Sequence, residues 1–196
     1  MKKYTPPPYR IIYGGSLYLD RDIAIAELAE AISKTNSQGD FEIDIYAPKF
    51  HWDGVHDTLD KYSFVKYKGT VEHDEMMRIV KEEADFLLLP ELISDKFLEY
   101  IRYSMSTKIP EYLASGHPII AIGNKNQGSI DYLLKNNAAY VICDKEQFEM
   151  TIEQIKSGVN MQKILNNAYE LFLNNHEKSN QESKFLNAIK LSVGQK

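Results

Sequence analysis

Apolar positions along this chain follow two alternating patterns, short unbroken runs and longer stretches repeating every three to four residues. Arg10-Ile11-Ile12-Tyr13, cut by Gly14-Gly15, predicts a buried strand and a turn. Ile25, Leu28, Ala29 and Ile32 then fall on one helical face, with Asp20 as the expected N-cap and Gly39 closing the stretch. Phe41 to Tyr46 alternates strictly, predicting a half-buried strand ended by Pro48. Ser63 to Tyr67 is a weaker strand ended by Gly69, and His73 to Ala84 a helix with Met76, Met77 and Val80 inward. Asp85 to Pro90 is apolar almost throughout, as a strand covered on both faces would be. Residues 91–106 show no period and read as a long loop. A helix over Lys108–Ser115 with Gly116 as its stop, a strand over Pro118–Ile122, a helix over Gly128–Asn136 and a strand over Ala139–Ile142 follow. Phe148, Ile152 and Ile155 mark another helix, and Met161, Ile164, Leu165, Ala168, Leu171 and Phe172 a long one. The polar stretch Asn174–Ser179 separates it from a last short helix carrying Phe185, Leu186 and Ile189.

Strands alternating with helices imply a parallel sheet covered on both faces. The fold class expected is α/β, a Rossmann-like three-layer α/β/α sandwich with a parallel sheet of about six strands. Residues 1–9, with Thr5-Pro6-Pro7-Pro8, read as an extended arm or linker remnant. Residues 10–175 form the domain, and 176–196 a C-terminal helical tail. In such sheets ligands bind beyond the carboxyl ends of the strands where strand order reverses, which points to the loops after the first and fourth strands.

Composition narrows the class. The 196 residues are 43% hydrophobic and 26% charged, values of an ordinary globular chain, which disfavours disorder and fibrous repeats. The formal charge of −5 disfavours a nucleic-acid partner. The single Cys143 excludes an internal disulfide and suits a reducing compartment. No apolar run approaches the roughly 20 residues of a membrane span, and Met1-Lys2-Lys3 is not followed by the apolar core of a signal peptide. The expectation is a soluble, cytoplasmic, single-core protein.

Two segments carry candidate chemistry. Gly14-Gly15-Ser16 joins a strand end to a helix start, where bare backbone and free N–H groups favour an anion, and Arg21 adds a positive charge. A tight turn with Arg21 on a solvated helix start is the alternative. Ser106, Thr107 and Lys108 open the helix carrying Pro110 and Glu111. Hydroxyls, helix-start amides and Lys108 suit a diphosphate; Glu111 is either a ribose ligand or an acidic residue complementing the helix dipole. His51, His56, His73, His117 and His176 show no metal-ligand spacing on one helix, and Asp53, Asp57 and Asp60 read as a solvated face. Cys143 reads as a buried structural thiol.

Lys108-Ile109-Pro110-Glu111-Tyr112-Leu113-Ala114-Ser115-Gly116-His117-Pro118-Ile119-Ile120 resembles the signature of the donor-binding, C-terminal domain of retaining glycosyltransferases of the GT-B fold, group 1 type. Ile12 to Leu17, Val65 to Met76 and Ala84 to Pro90 agree with it in order and spacing, so the resemblance runs from about residue 10 to 157. It implies a site for a nucleoside-diphosphate sugar. By resemblance Glu111 binds the ribose, Gly14, Gly15, Ser16, Arg21, Ser106, Thr107 and Lys108 surround the diphosphate, and Lys68, Gly69 and Thr70 lie near the base. Two positions depart from the pattern. Tyr103 stands where many members carry a second Glu, and Met105-Ser106 where a glycine is usual.

The function implied is transfer of the sugar to an acceptor hydroxyl with retention, in surface polysaccharide or glycoconjugate synthesis. The chemistry would rest mainly on stabilising the departing diphosphate. The nucleotide sugar is then the substrate, with no further cofactor and no metal. The acceptor is expected on an N-terminal domain of similar size, missing from this chain or supplied as a partner subunit; the Pro-rich start favours a piece of a longer protein. Peripheral membrane association belongs to that full protein. The alternatives are a non-catalytic nucleotide-binding subunit and a sugar-nucleotide epimerase on the same fold.

Overall fold

The computed structural model describes residues 7–193, with side chains described to residue 189; the first six residues of the expected arm and the last residues of the tail lie outside. In chain order the elements are β1 (Tyr9–Gly14), α1 (Arg21–Lys34), β2 (Phe41–Tyr46), α2 (Lys49–Asp53), α3 (His56–Leu59), β3 (Val65–Gly69), α4 (His73–Glu83) and β4 (Phe86–Pro90). After them come α5 (Leu98–Ile101), α6 (Lys108–Ala114), β5 (Ile119–Ile122), α7 (Gly128–Lys135), β6 (Tyr140–Ile142), α8 (Gln147–Ser157), α9 (Met161–Asn175) and α10 (Lys178–Val193). The six strands form one sheet in the order β3-β2-β1-β4-β5-β6, every pair parallel. This is the expected Rossmann-like α/β fold.

Alternation of side chains along each strand builds two cores. Ile11, Tyr13, Ile43, Ile45, Phe86 and Leu88 face Ile25, Leu28 and Ile32 of α1 and Phe148 and Ile152 of α8. Ile12, Leu87, Leu89, Ile119 and Ala121 face Ile79 and Val80 of α4, Ile109 and Leu113 of α6, and Ile130 and Leu133 of α7. Each fully buried Leu or Ile contributes about 1.5–3 kcal/mol. Helix α9 feeds both cores, Ile164 the first and Ala168 and Leu171 the second.

Several local expectations are corrected. Asp20 precedes α1 but makes no side-chain cap bond. Its backbone is left-handed at φ 57°, so its carbonyl accepts from the Ile23 and Ala24 amides while its carboxylate pairs with Lys96. The stretch 91–106 is not all loop: a 3-10 turn over Asp95–Phe97 leads into α5, anchored by the buried Leu98. Helices α2 and α3 are too short to show a period, yet bury Trp52 and Leu59. Strand β2 is covered on both faces. Asp44 is fully buried, 3.2 Å from Lys68 Nζ and 3.4 Å from Arg10 Nε. The last helix is not short: α10 runs sixteen residues from Lys178, leaving Phe185, Leu186 and Ile189 largely exposed.

Candidate functional site

Strand order reverses between β1 and β4, so the loops that follow them, 15–20 and 91–107, splay apart at the carboxyl edge of the sheet. Gly14 and Gly15 close β1. The Gly15 backbone has φ 150°, and a Cβ there would lie 2.8 Å from both Cε and Nζ of Lys108. The bare backbone of Gly15 is what admits the Lys108 side chain. The ammonium also lies 5.7 Å from the centroid of the Tyr13 ring.

Lys108 is largely withdrawn from water. Burial, with Arg21 nearby, lowers its pKa; Glu91 and Glu111 pull the other way. Among the described residues no carboxylate forms an ion pair with it. A buried cation without a partner favours an anion beside it. Thr107, Lys108 and Glu111 line one wall of a cavity of about 260 Å³, facing Gly14, His73, Met76 and Met77. Glu111 is partly exposed, and its Oε1 lies 4.0 Å from His73 Nε2. Tyr112 closes the floor, with its pKa pushed up by burial.

Arg21 belongs to the same neighbourhood but has a partner. Its Nη2 lies 3.0 Å from Glu91 Oε1, and Glu91 is 3% exposed. Burial opposes the Arg21 charge, but Glu91 and Tyr13 outweigh it and the pKa rises. The Tyr13 hydroxyl donates to the Ser16 carbonyl, and burial pushes its pKa up. Arg21 is therefore already engaged by Glu91.

The remaining expected residues scatter around this centre. Ser16 Oγ accepts from the Tyr18 amide at 3.1 Å, a bond internal to the turn. The expected cap of α6 is weak: Ser106 Oγ accepts from the Lys108 amide at 3.4 Å, and Thr107 makes no side-chain cap bond. The Ser106 amide donates to Ser129 Oγ at 2.8 Å, tying the loop to α7. Lys68, Gly69 and Thr70 are not among the residues lining the cavity. Lys68 turns to Asp44, and Ala47 binds both Gly69, amide to carbonyl at 3.0 Å, and Thr70 Oγ1, at 3.2 Å. Tyr103 is 92% exposed and does not line the cavity.

Sequence reasoning passed over His73, Glu91 and Tyr13. Glu91 carried one usable signal: it directly follows a fully apolar strand, at the loop where the switch-point rule places a ligand. His117 lies at the amino end of β5, away from the site. Among the described residues no group of three or more His, Cys, Asp or Glu is placed to hold a metal, and no helix is long and apolar enough to cross a membrane.

The profile of the family described as "Glucosyltransferase 3-like, C-terminal domain" matches residues 24–186. Among solved structures, a glycosyltransferase from Rickettsia africae superposes with a TM-score of 0.68 at 16% identity, covering 96% of this chain and 48% of its own. The α,α-trehalose 6-phosphate synthase of Burkholderia multivorans gives 0.62 at 14%, covering 96% and 44%. An E. coli structure titled as trehalose-6-phosphate bound with UDP-2-fluoro glucose gives 0.64 at 13%, covering 92% and 44%. At these identities the likeness is one of fold, and the chain spans less than half the length of each. A search of curated proteins returns no match.

Proposed function

The chain belongs to the glucosyltransferase 3-like, C-terminal domain family, and from that premise we propose that its cavity holds the nucleoside diphosphate of a sugar donor. One observation carries this reading: the Lys108 ammonium, largely buried and without a carboxylate partner among the described residues, lies against the bare Gly15 backbone at the switch point. Lys108 and Thr107 take the diphosphate, with Arg21 shared between it and Glu91. Glu111 accepts the ribose hydroxyls, and the base lies toward His73, Met76 and Met77.

In the reaction the bond between the sugar and its phosphate breaks and negative charge grows on the departing diphosphate. A cation already in place and poorly hydrated stabilises that charge more than water does. Glu111 holds the ribose, and so the leaving group, in line. Retention follows if the acceptor hydroxyl enters on the face the diphosphate leaves and gives its proton to the leaving oxygen. The acceptor and the rest of the site come from an N-terminal domain, in the same protein or a partner. Synthesis of a surface polysaccharide or glycoconjugate is the setting this suits.

A second reading, a nucleotide-binding module that transfers nothing, is favoured by Tyr103 standing exposed where the resembling enzymes carry a second Glu. Calorimetric titration with uridine, guanosine, adenosine and cytidine diphosphates tests the common premise. Saturable binding of at least one, weakened about tenfold or more in Lys108→Met, is expected; no binding of any, or equal binding by the variant, overturns it. Transfer by the chain joined to its N-terminal half separates the two readings.

A further inference from the structure

Two side chains of like charge stand together at the switch point, and they repel: after burial, the nearby Arg21 guanidinium is the next cause of the lowered Lys108 pKa. Arg21 is held by Glu91. Lys108 has no carboxylate paired to it among the described residues, so something else keeps its ammonium in place.

Tyr13 is the side chain that meets both cations. It lies near the end of β1 and is fully buried. Its ring centroid lies 5.7 Å from Lys108 Nζ, within reach of a cation–π attraction. Its hydroxyl donates to the Ser16 carbonyl, and Arg21 Nη1 donates to the same oxygen at 3.5 Å. A Cβ on Gly15 would stand 3.3 Å from that hydroxyl and 2.8 Å from the Lys108 ammonium, so both groups converge on the bare glycine backbone.

The chemistry of the holder matters. A carboxylate beside Lys108 would hold it too, but would cancel its charge and repel an incoming anion. An aromatic ring attracts the ammonium through its quadrupole and stays neutral, leaving the positive charge for a ligand. Burial pushes the Tyr13 pKa up, so the side chain remains a phenol. The hydroxyl gives the residue a second task that a phenylalanine could not perform. By pinning Ser16 it sets the carbonyl to which Arg21 donates.

We propose that Tyr13 is a positioning residue of the donor site: its ring holds Lys108, and its hydroxyl, through Ser16, holds Arg21, so that both cations are in place before the diphosphate arrives. The ligand rests on the donor reading above; the hold on Lys108 does not.

The Lys108 amine of the free chain is labelled with trace acetic anhydride across a pH series, and peptide mass spectrometry gives the midpoint of its titration. Tyr13→Leu removes ring and hydroxyl and lowers that midpoint by about half a pH unit. Tyr13→Phe keeps the ring and leaves the midpoint as in the parent. Ile11→Val, a small cavity on the same core face of β1, also leaves it, so general loosening of the core does not imitate the effect. Calorimetry with uridine, guanosine, adenosine and cytidine diphosphates reads the second half. The affinity of any that binds the parent falls roughly threefold in Tyr13→Phe and roughly tenfold in Tyr13→Leu, and holds in Ile11→Val. Tyr13→Phe, the milder change, decides the Arg21 arm by itself. An unchanged midpoint in Tyr13→Leu, an equal fall in Tyr13→Phe, or a fall of that size in Ile11→Val overturns the hold on Lys108. Diphosphate affinity equal to the parent's in both Tyr13 variants overturns the positioning role. If no diphosphate binds the parent while the midpoint still moves with the ring alone, the donor reading falls and the hold of tyrosine on lysine stands.

Discussion

Glu91 Oε1 lies 3.0 Å from Arg21 Nη2, and this ion pair joins the end of β4 to the start of α1 across the point where strand order reverses. The two loops that frame the cavity are held together by opposite charges that are mostly withdrawn from water.

Breaking that pair from one side leaves a charge buried alone. Glu91→Ala is expected to destabilise the chain by about 3 kcal/mol, read by urea denaturation. Replacing both residues by apolar side chains, Arg21→Met with Glu91→Leu, recovers most of the loss. If the double variant loses as much as the two single changes summed, the pair does not act as a unit.

Lys108 makes nucleotide binding depend on pH with a definite sign. Burial holds its pKa below the ordinary lysine value in the free chain. A bound diphosphate raises it again, so the complex takes up a proton in the window between the two values. Affinity for a nucleoside diphosphate therefore falls as pH rises through that alkaline window, and proton uptake appears as a buffer-dependent heat in calorimetry. Lys108→Met removes the slope and costs about 1.5–3 kcal/mol of binding at neutral pH.

Glu111 is tested by chemistry on the ligand. Glu111→Gln is expected to weaken a ribonucleoside diphosphate by about 1–3 kcal/mol. Against the 2′,3′-dideoxy form, parent and variant should bind alike. A loss of the same size for both ligands would place Glu111 away from the sugar hydroxyls.

Gly15 supplies the space that Lys108 occupies. Gly15→Ala meets two obstacles, a positive φ of 150° and a Cβ 2.8 Å from the ammonium. About 1–3 kcal/mol of stability is expected to go, together with nucleotide affinity, because the lysine must swing away. Gly69→Ala, also at positive φ but with nothing within 4 Å of its Cβ, provides the control: strain in the fold with affinity kept.

Sequence alone was enough for the alternation of strands and helices and for the loops that frame the candidate site. Unbroken apolar runs such as Phe86 to Leu89 can be stable only as strands with both faces covered, and the repeat of three to four residues between them leaves helices to do the covering. That reasoning reached the order of the strands and helices along the chain and the two loops of the switch point; the grouping of Gly15, Thr107, Lys108 and Glu111 came from the family resemblance. Short pieces escaped it. Helices α2, α3 and α5 have one turn each, too little for a period to appear. Tertiary structure alone decided which charges pair. Arg21 with Glu91 and Lys68 with Asp44 are 70 and 24 residues apart, brought together by strand order rather than by local pattern. Lys108, with no carboxylate paired to it among the described residues, was singled out the same way: burial and neighbouring charge depend on every element packed around a side chain, and no local stretch of sequence carries that sum.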